Sequence, residues 1–350
     1  MSDESTENKP EKPKRRVRYS GRNPRKASEK YKELNPEKYA DDMEKVKSRG
    51  ATPLGTHRPI CVDEILEILN PQPGELALDA TLGYGGHASF ILPRLQPNGR
   101  LIGLDQDPIE RPKTEKRLKG LGFADSTLLI GAINFSQTKN FLIENNIPKV
   151  DMILADLGVS SMQIDDPNRG FSYKNNAPLD LRMNPECGIT AAEAITKLTA
   201  SELSQILREN SDEMRSDVIA KALVLAKPKT TFEMTEVLQK TISGFSKKVQ
   251  EEQGDLPIRR TFQALRIYIN QEFTALDQFL NDLPSLLKPN GRVAILTFHS
   301  GEDRRVKKSF QHFHRNHIYK SIADEFIRPS FEEQRNNTRS KSAKLRWAKI

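Results

Sequence analysis

Leu76-Ala-Leu-Asp-Ala-Thr-Leu-Gly-Tyr-Gly-Gly-His87 and Arg100-Leu-Ile-Gly-Leu-Asp105 are the two stretches that decide the fold of this chain. The apolar run before Asp79 is typical of a buried parallel strand, and Gly83, Gly85 and Gly86 allow a tight turn and a close approach to a ligand. Asp105 follows about twenty residues later, at the end of the next apolar run, where a carboxylate can bind both ribose hydroxyls. The pattern predicts an adenosine site, with a purely structural turn as the alternative.

The acidic residue that precedes the glycine turn indicates which adenosine-containing cofactor binds. Nicotinamide-binding domains usually show G-x-G-x-x-G at a helix N-terminus, where backbone amides meet a pyrophosphate. Here Asp79 precedes the glycines, and an acid at that place would repel a pyrophosphate. It suits the cationic amino-acid end of S-adenosylmethionine instead.

Short apolar runs alternate with segments of helix length. The runs 76–80, 101–105, 127–131 and 152–156 predict βαβ units and a doubly wound parallel sheet. Ligands bind at the carboxyl edge of such a sheet, and polar residues follow these runs there: Asp79, Asp105, Asn134 and Asp156. Because clustered carboxylates repel one another, we expect a ligand to share this edge.

The chain divides into three parts. Residues 1–50 are polar and proline-containing and predict a basic, largely disordered extension. Helical spacing at 191–207, 217–226 and 232–242 predicts a helical domain at 175–255, inserted into an α/β domain formed by 51–174 and 256–350. The α/β domain resumes with a helix at 261–280, a turn at 288–291 and a strand at 292–298.

Composition bounds the class of protein. The 350 residues include 36% hydrophobic residues, and no apolar run approaches the length of a bilayer span, so we expect a soluble, cytoplasmic protein without a membrane partner. Cys61 and Cys187 are far apart and form no C-x-x-C pair, which indicates neither a disulfide framework nor a zinc site.

The net charge of +8 is unevenly distributed. Residues 9–26 hold nine Lys or Arg against one Glu, and 304–320 and 335–350 each hold six and no acid. A run of charge is often only a solvated face, but three separate clusters favour RNA or DNA as partner. His312, His314 and His317 lie within the second cluster, so we interpret them as part of a basic face and predict no metal.

Two strand ends carry candidate catalytic residues. Asp156 ends the run 151–156, where it can accept hydrogen bonds from an exocyclic base amine and help that amine to pyramidalise; capping of the next helix is the alternative. The rest of such a reaction is positioning of the methyl donor in line with the nitrogen. His299 ends the later strand at the same edge, as a catalyst or a structural hydrogen-bonding group.

The loop after Asp156 mixes cations with aromatic residues. Phe171 and Tyr173 suit stacking on an extruded base, while Arg169 and Arg182 suit phosphates. The same composition is also typical of a loop that packs on its own side chains, and the two interpretations stay open.

Together the motifs resemble one family, the bacterial methyltransferases that modify the exocyclic N4 amine of a decoding-centre cytosine in 16S ribosomal RNA. The matching segments follow in order from about residue 57: 79–87, 105–108, 134–135, 156–161, 169–172, 178–183, 261–266, 298–304, and Arg339 with 342–346. Tyr84 and Gly301 depart from the family pattern, and a basic N-terminal extension is not typical of it.

The resemblance implies a Rossmann-like class I S-adenosylmethionine-dependent methyltransferase with an inserted helical domain. It implies cofactor contacts from Gly85, Gly86, His87, Asp105, Phe135, Asp156 and Gln163, to which Asp79 and Gly83 of the turn are added. Catalysis is assigned to Asp156 and His299. RNA binding is assigned to a further set: Arg169, Phe171, Tyr173, Arg182, Arg266, Arg304, Lys344 and Arg346.

The implied substrate is 16S ribosomal RNA in the assembled small subunit, modified at a P-site cytosine by a monomer or homodimer. Two alternatives keep the fold: a non-catalytic RNA-binding or ribosome assembly factor, and a methyltransferase for another RNA nucleotide. An NAD-dependent oxidoreductase fits the sheet but requires a third glycine at a spacing that the turn after Asp79 does not have.

Overall fold

A computed structural model describes residues 59–350 of the chain, except for the side chains of residues 248, 249 and 252. The predicted basic extension, residues 1–50, lies outside the described residues. Within the described part, no helix combines the length and the apolar character that crossing a membrane requires.

A seven-stranded sheet organises the described residues, with the strand order β3-β2-β1-β4-β5-β7-β6. The strands are β1 Leu76–Asp79, β2 Arg100–Leu104, β3 Leu128–Gly131, β4 Val150–Asp156, β5 Leu287–Thr297, β6 Ser321–Ile322 and β7 Lys344–Lys349. Strands β1 to β5 pair in parallel, while β7 runs antiparallel to β5 and β6. The predicted doubly wound α/β fold is confirmed, and so are the four predicted strands before residue 157.

Helices cover both faces of the sheet and form the segment between β4 and β5. They are α1 Val62–Leu69, α2 Ala88–Ile91, α3 Glu110–Gly120, α4 Thr138–Glu144, α5 Ser161–Asp165, α6 Ala191–Lys197, α7 Ala200–Ser211, α8 Ser216–Ala226, α9 Thr231–Ser243, α10 Lys247–Gln253, α11 Leu256–Ile269, α12 Glu272–Leu286, α13 Ser300–Arg315 and α14 Phe331–Asn336.

The side chains of β4 show how the sheet divides the core. Met152 and Leu154 pack on one face with residues of α1 and α2, whereas Ile153 and Ala155 pack on the other with residues of α12. This alternation follows from the two-residue period of a strand. Because both faces are buried, residues 152–155 of the strand are all apolar, and Asp156 follows them at the carboxyl end.

A third apolar core lies in the helical segment. It contains buried residues of α6 to α9 together with Ile258, Phe262 and Leu265 of α11. Helix α11 therefore packs with the insertion although the predicted division places residue 256 in the α/β domain. The boundaries at 175 and 255 stay a prediction.

Two local predictions are wrong. The helix predicted at 191–207 breaks at Leu198, because Thr199 and Glu202 form a new capping box. The helix predicted at 261–280 breaks at Gln271, which adopts a left-handed conformation with φ 49°. The turn predicted at 288–291 lies within β5, where the register against β4 shifts from Val150–Leu287 to Met152–Arg292 and Asn290 has a left-handed conformation with φ 63°.

Candidate active site

A cavity of about 400 Å³ lies at the carboxyl edge of the sheet. The ends of β1, β2 and β4 form one wall, and the junction of α11 and α12 contributes Arg266, Asn270 and Phe273 on another. Eight residues assigned from the sequence line it: Gly83, Gly86, His87, Asp105, Phe135, Asp156, Gln163 and Arg266. Asp79, Gly85 and His299 are not among the lining residues, although Asp79 and Gly85 belong to the strand and turn that shape the wall.

The glycine turn is held against the neighbouring strand by hydrogen bonds. The Gly83 amide donates to Asp105 Oδ2 at 2.8 Å, so the turn after β1 and the end of β2 form one unit. Gly86 leaves no room for a side chain, since a Cβ there would lie 2.6 Å from Pro59 and 2.8 Å from the Tyr84 ring. Gly85 has φ +74°, and its Cβ would meet Thr114 of α3 at 3.0 Å, so it serves packing rather than direct ligand contact.

Three carboxyl groups at this edge have raised pKa values. Burial raises the pKa of Asp79 and that of Asp105 to about 6 each. Burial and then the nearby charge of Glu302 raise the pKa of Asp156 to about 7. No Lys or Arg nitrogen of a side chain that the structure describes lies within 4.0 Å of any of these three carboxylates. The edge is therefore suited to a cationic ligand that neutralises it.

Asp156 is held at the end of β4 by its backbone, which leaves its side chain available. Its amide donates to Thr81 Oγ1 at 2.6 Å, and its carboxyl group keeps 30% exposure in the cavity wall. The alternative in which Asp156 caps the next helix is wrong, because Ser160 caps α5.

His87 faces Asp156 across a short gap. Its Nδ1 lies 3.7 Å from Asp156 Oδ2, and its Nε2 lies 2.9 Å from the carbonyl oxygen of Ile60. Because a carbonyl only accepts hydrogen bonds, the proton of neutral His87 belongs on Nε2, and Nδ1 presents a lone pair to Asp156. Burial lowers the pKa of His87, which favours this neutral form.

Gln163 and Phe135 line the cavity from different elements. Gln163 Oε1 accepts from the Ser160 amide at 2.9 Å, and Nε2 donates to Asp107 Oδ2 at 2.8 Å, so its side-chain amide is held within α5 and the β2 loop. Phe135 lies edge-on to Phe279 of α12, with ring centroids 5.3 Å apart. One ring edge is thereby fixed in the core while the residue still borders the cavity.

A family model described as the MraW methylase family matches residues 55–350. The chain belongs to the MraW methylase family. This membership confirms the resemblance that the sequence motifs indicated. Because the matched span begins near the first described residue, the whole described structure lies within the family region.

Relatives of this family member share its full length or most of it. "Ribosomal RNA small subunit methyltransferase H 2" of Alkaliphilus metalliredigens is 49% identical over 347 residues, 98% of this chain and 99% of that protein. "Ribosomal RNA small subunit methyltransferase H 1" of Lachnoclostridium phytofermentans is 49% identical over 99% of this chain and 96% of that protein. "Ribosomal RNA small subunit methyltransferase H" of Heliobacterium mobile is 39% identical over 83% of this chain and 98% of that protein.

Solved structures that resemble the chain are much more distant. A SAM-dependent O-methyltransferase from Thermotoga maritima has a TM-score of 0.39 and 10% identity, covering 88% of this chain and 70% of that one. A putative rRNA methylase from Clostridium thermocellum has a TM-score of 0.38 and 13% identity, covering 83% of this chain and 93% of that one.

The residues assigned to RNA in the loop after Asp156 take up structural positions in this family member. Arg169 is 5% exposed; it donates to Asp107 Oδ2 at 2.9 Å and to the carbonyl oxygens of Arg182 and Met183. The Arg169 guanidinium is thus buried and paired with Asp107, which does not fit its assignment to RNA phosphates. Phe171 and Tyr173 pack on the third core, where Tyr173 lies 5.8 Å from the Phe262 ring. Both rings are partly buried against this core, so the loop packs on the helical segment.

The remaining cations assigned to RNA differ in availability. Arg182 donates to both carboxylate oxygens of Asp180, and Arg266 does the same with Glu272 inside the cavity wall. Lys344 and Arg346 both bind Asp303, and Arg346 is only 4% exposed. Arg304 is the most open of the set, at 55% exposure, with Asp212 3.4 Å away.

His299 is the N-cap of α13. Its Nδ1 accepts from the Glu302 amide at 3.4 Å, and its Nε2 lies 3.1 Å from Glu302 Oε1. This position fits the structural hydrogen-bonding alternative, and we do not assign His299 to the reaction. Glu302, which sequence reasoning missed, lines the cavity and raises the pKa of Asp156. The capping-box spacing from His299 to Glu302 was the signal that could have found it.

One group of side chains has metal-ligand spacing within the described residues. Cys61, Glu64 and Glu333 place their ligand atoms within 4.8 Å of one another. The backbone amide of Cys61 already donates to Glu333 Oε1 at 3.1 Å. Burial raises the pKa of the Cys61 thiol, which keeps it protonated and therefore a poor metal ligand.

Proposed function

We propose that this chain is an S-adenosylmethionine-dependent methyltransferase that modifies the exocyclic N4 amine of a cytosine in small-subunit ribosomal RNA. The placement of Asp156 in the wall of a cavity lined by carboxylates is the observation that carries the proposal. Membership of a methylase family supports the reaction class, and the printed names of the relatives support ribosomal RNA as substrate. The P-site cytosine of the decoding centre in 16S RNA is the specific target that the motif resemblance favours.

The chemistry of the cavity fits the methyl donor. Asp105 ends β2 with a carboxylate whose two oxygens accept from the amides of Gly83 and Asp107, and each oxygen keeps a lone pair for a ribose hydroxyl. Phe135 borders the same space. The bound donor supplies a methyl group on a positively charged sulfur, and that charge complements carboxylates that no Lys or Arg of the described residues neutralises.

The residues of the chain would orient the amine and accept its proton. The amine lone pair is delocalised into the cytosine ring, so a carboxylate that accepts hydrogen bonds from the amine favours the geometry needed for attack. Asp156 is placed for this role by β4 and by Thr81. Its raised pKa also brings proton acceptance near neutral pH, which is where a general base works best.

Substrate access requires the target base to leave its stack. The cavity is bounded on one side by the sheet and on another by Phe273 and Arg266, so a base inserted between them would be shielded from water. Excluding water strengthens the hydrogen bonds that hold the amine against Asp156. Enzymes that act on bases commonly use such an extruded geometry.

The decisive experiment is methylation of small subunits purified from a strain in which the gene is deleted. Purified protein is incubated with labelled S-adenosylmethionine and these subunits, and the labelled nucleotide is mapped by mass spectrometry. We expect one N4-methylated cytosine. Label at another nucleotide would identify the alternative RNA methyltransferase, and absence of both label and cofactor affinity would identify the assembly factor.

Two variants separate binding from chemistry in the same assay. Asp105→Ala is expected to weaken cofactor binding, measured by calorimetry, because both ribose contacts are lost. Asp156→Asn is expected to slow methyl transfer at saturating cofactor by about 10² to 10⁴-fold, the usual contribution of general base catalysis. Equal turnover of Asp156→Asn and the wild type would refute the role of Asp156.

A further inference from the structure

The exposed face of α13 carries a stripe of cations that begins next to the cavity. Arg304, Lys307, Lys308 and Arg315 are all exposed. At 3.6 residues per turn, these four positions fall within about 100° of the helix circumference and extend over about 16 Å. We call these four residues the α13 stripe.

The helix that carries the stripe is anchored firmly. Val306 and Phe310, on its opposite side, are 0% and 2% exposed and belong to the core against the sheet. The acids of its first turn pair with groups outside the stripe: Glu302 binds His299, and Asp303 binds Lys344 and Arg346. The charge of the stripe is therefore not cancelled by its own helix.

Neighbouring elements do little to neutralise the stripe. Arg304 has an ion pair with Asp212 at 3.4 Å, but both side chains are 55% exposed, and ion pairs this exposed to water are weak. No carboxylate among the described side chains comes within 4.0 Å of the Lys307, Lys308 or Arg315 cations. The stripe is thus a row of cations available to an external polyanion.

The stripe is continuous with the wall of the cavity. Glu302, in the first turn of α13, lines the cavity. Arg305 stacks on the Phe273 ring at 3.8 Å, and Phe273 also lines the cavity. A strand whose target base enters the cavity would therefore pass its neighbouring phosphates along α13.

Other partners fit the stripe less well. Protein interfaces bury aromatic residues in their centres and are depleted of lysine there, and the stripe presents no large apolar side chain. A membrane-surface helix exposes an apolar face, whereas the apolar face of α13 is buried in the core. Phosphates, in contrast, require only exposed Lys and Arg at suitable spacing.

We propose that the α13 stripe binds the phosphate backbone of the RNA segment adjacent to the target nucleotide. This inference rests on the proposed function and adds to it the path of the RNA. The stripe would position the strand without reading its sequence, because phosphate contacts fix register and orientation only. Because α13 packs on the sheet that also carries Asp156, phosphate contacts along α13 would fix the position of the RNA strand relative to Asp156.

The test removes two charges from the stripe and compares a matched control. Lys307→Gln/Lys308→Gln removes two stripe cations, and Lys221→Gln/Lys240→Gln removes two exposed lysines from α8 and α9. Binding of a 16S RNA transcript and of small subunits is measured as a function of salt. Loss of two phosphate contacts should lower the salt slope by about 1.4 and the affinity at 0.1 M salt by about 25-fold.

The outcomes separate this inference from the proposed function. We expect the stripe variant to have a raised KM for subunits, an unchanged kcat at saturation and an unchanged cofactor affinity, while the control matches the wild type. If the stripe variant and the wild type have equal salt slopes while the wild type still methylates RNA, the inference that the α13 stripe binds phosphates is refuted and the proposed function stands. If the stripe variant binds subunits more weakly but binds the naked transcript as the wild type does, the inference is also refuted, because the stripe would then contact a ribosomal protein. Failure of the wild type to methylate any RNA would instead overturn the proposed function.

Discussion

The ionisation of Asp156 gives a prediction that the structure makes quantitative. An ordinary aspartate is fully ionised above pH 5, so an enzyme that depended on one would show a flat rate at neutral pH. Burial beside Glu302 raises the pKa of Asp156 to about 7. If the carboxylate is the form that accepts the amine hydrogens, the rate must rise as pH passes through that value.

The size of the effect follows from the titration curve. For a pKa near 7, the ionised fraction is about 9% at pH 6, half at pH 7 and about 91% at pH 8, a rise of about tenfold over two pH units. The titratable groups near Asp156 are Glu302, which raises its pKa, His87, whose neutral Nδ1 lies 3.7 Å away, and Asp79 and Cys61, whose own pKa values the Asp156 charge raises. A cationic sulfonium beside Asp156 would favour the carboxylate and lower its pKa.

The assay compares two pH profiles of labelled-methyl transfer to small subunits. The profile of kcat/KM for the cofactor reports the free enzyme and should rise about tenfold between pH 6 and pH 8. The profile of kcat, at saturating cofactor, should rise at lower pH because the bound cation lowers the pKa. Asp217→Asn, at an exposed acid of α8, serves as the control and should keep both profiles.

Two results would refute this reasoning. The first is a wild-type profile of kcat/KM that is flat from pH 6 to pH 8, which would mean that Asp156 ionisation does not limit the reaction. The second is an Asp156→Asn enzyme that retains the same rise, which would assign the titration to another group, such as His87.

Three further predictions concern other parts of the molecule. Asp79→Asn should stabilise the ligand-free protein by up to about 3 kcal/mol above pH 6. The reason is that Asp79 has a pKa of about 6 in the folded protein and an ordinary value of 3.8, so the wild type loses stability as pH rises from 4 to 6. Thermal melts in which wild type and variant differ equally at pH 4 and pH 7.5 would contradict this. Arg169→Met should cost about 3–5 kcal/mol in urea unfolding because it leaves the buried Asp107 carboxylate without its ion pair. Arg182→Met should cost less, because water still reaches both side chains of the Arg182–Asp180 pair, which are 19% and 18% exposed. Normal stability of Arg169→Met with weakened RNA binding would restore Arg169 to the RNA interface. Deletion of residues 1–50 should flatten the salt dependence of RNA binding and leave cofactor affinity unchanged. An unchanged salt slope in filter binding would show that these residues do not contact RNA phosphates.

Local signals predicted the sheet because they are repeated along the chain. Apolar runs ending in Asp79, Asp105 and Asp156 could be placed at one edge from strand order alone, since parallel strands align their carboxyl ends. Two helices begin at Thr-x-x-Glu sequences, where the side chains of Thr190 and Thr230 accept from the amides of Glu193 and Glu233. Helix breaks were less predictable. Glutamine is not a residue type typical of the left-handed conformation that Gln271 adopts. The break at Gln271 separates α11, which packs on the third core, from α12, which packs on the sheet.

The roles of individual cations could not be predicted from the sequence. Arg169 lies in a loop with aromatic neighbours, which is typical of RNA-binding segments, yet it pairs with Asp107, 62 residues earlier. Arg304 and Arg346 belong to similarly basic stretches, but one is exposed and the other is buried against Asp303. Composition gives the number of charges, whereas only the folded chain shows which of them already have partners.

The amino-acid sequence by itself determined the α/β fold, the family and the edge at which the site lies, because these depend on periodicity and on motifs of a few adjacent residues. The tertiary structure alone decided that Glu302 and His87 flank Asp156, that Arg169 is a buried ion-pair partner and that α13 presents its cations to solvent. Those properties arise from contacts between residues far apart in the chain, where burial changes a carboxyl group's pKa and an ion pair removes a charge from the surface.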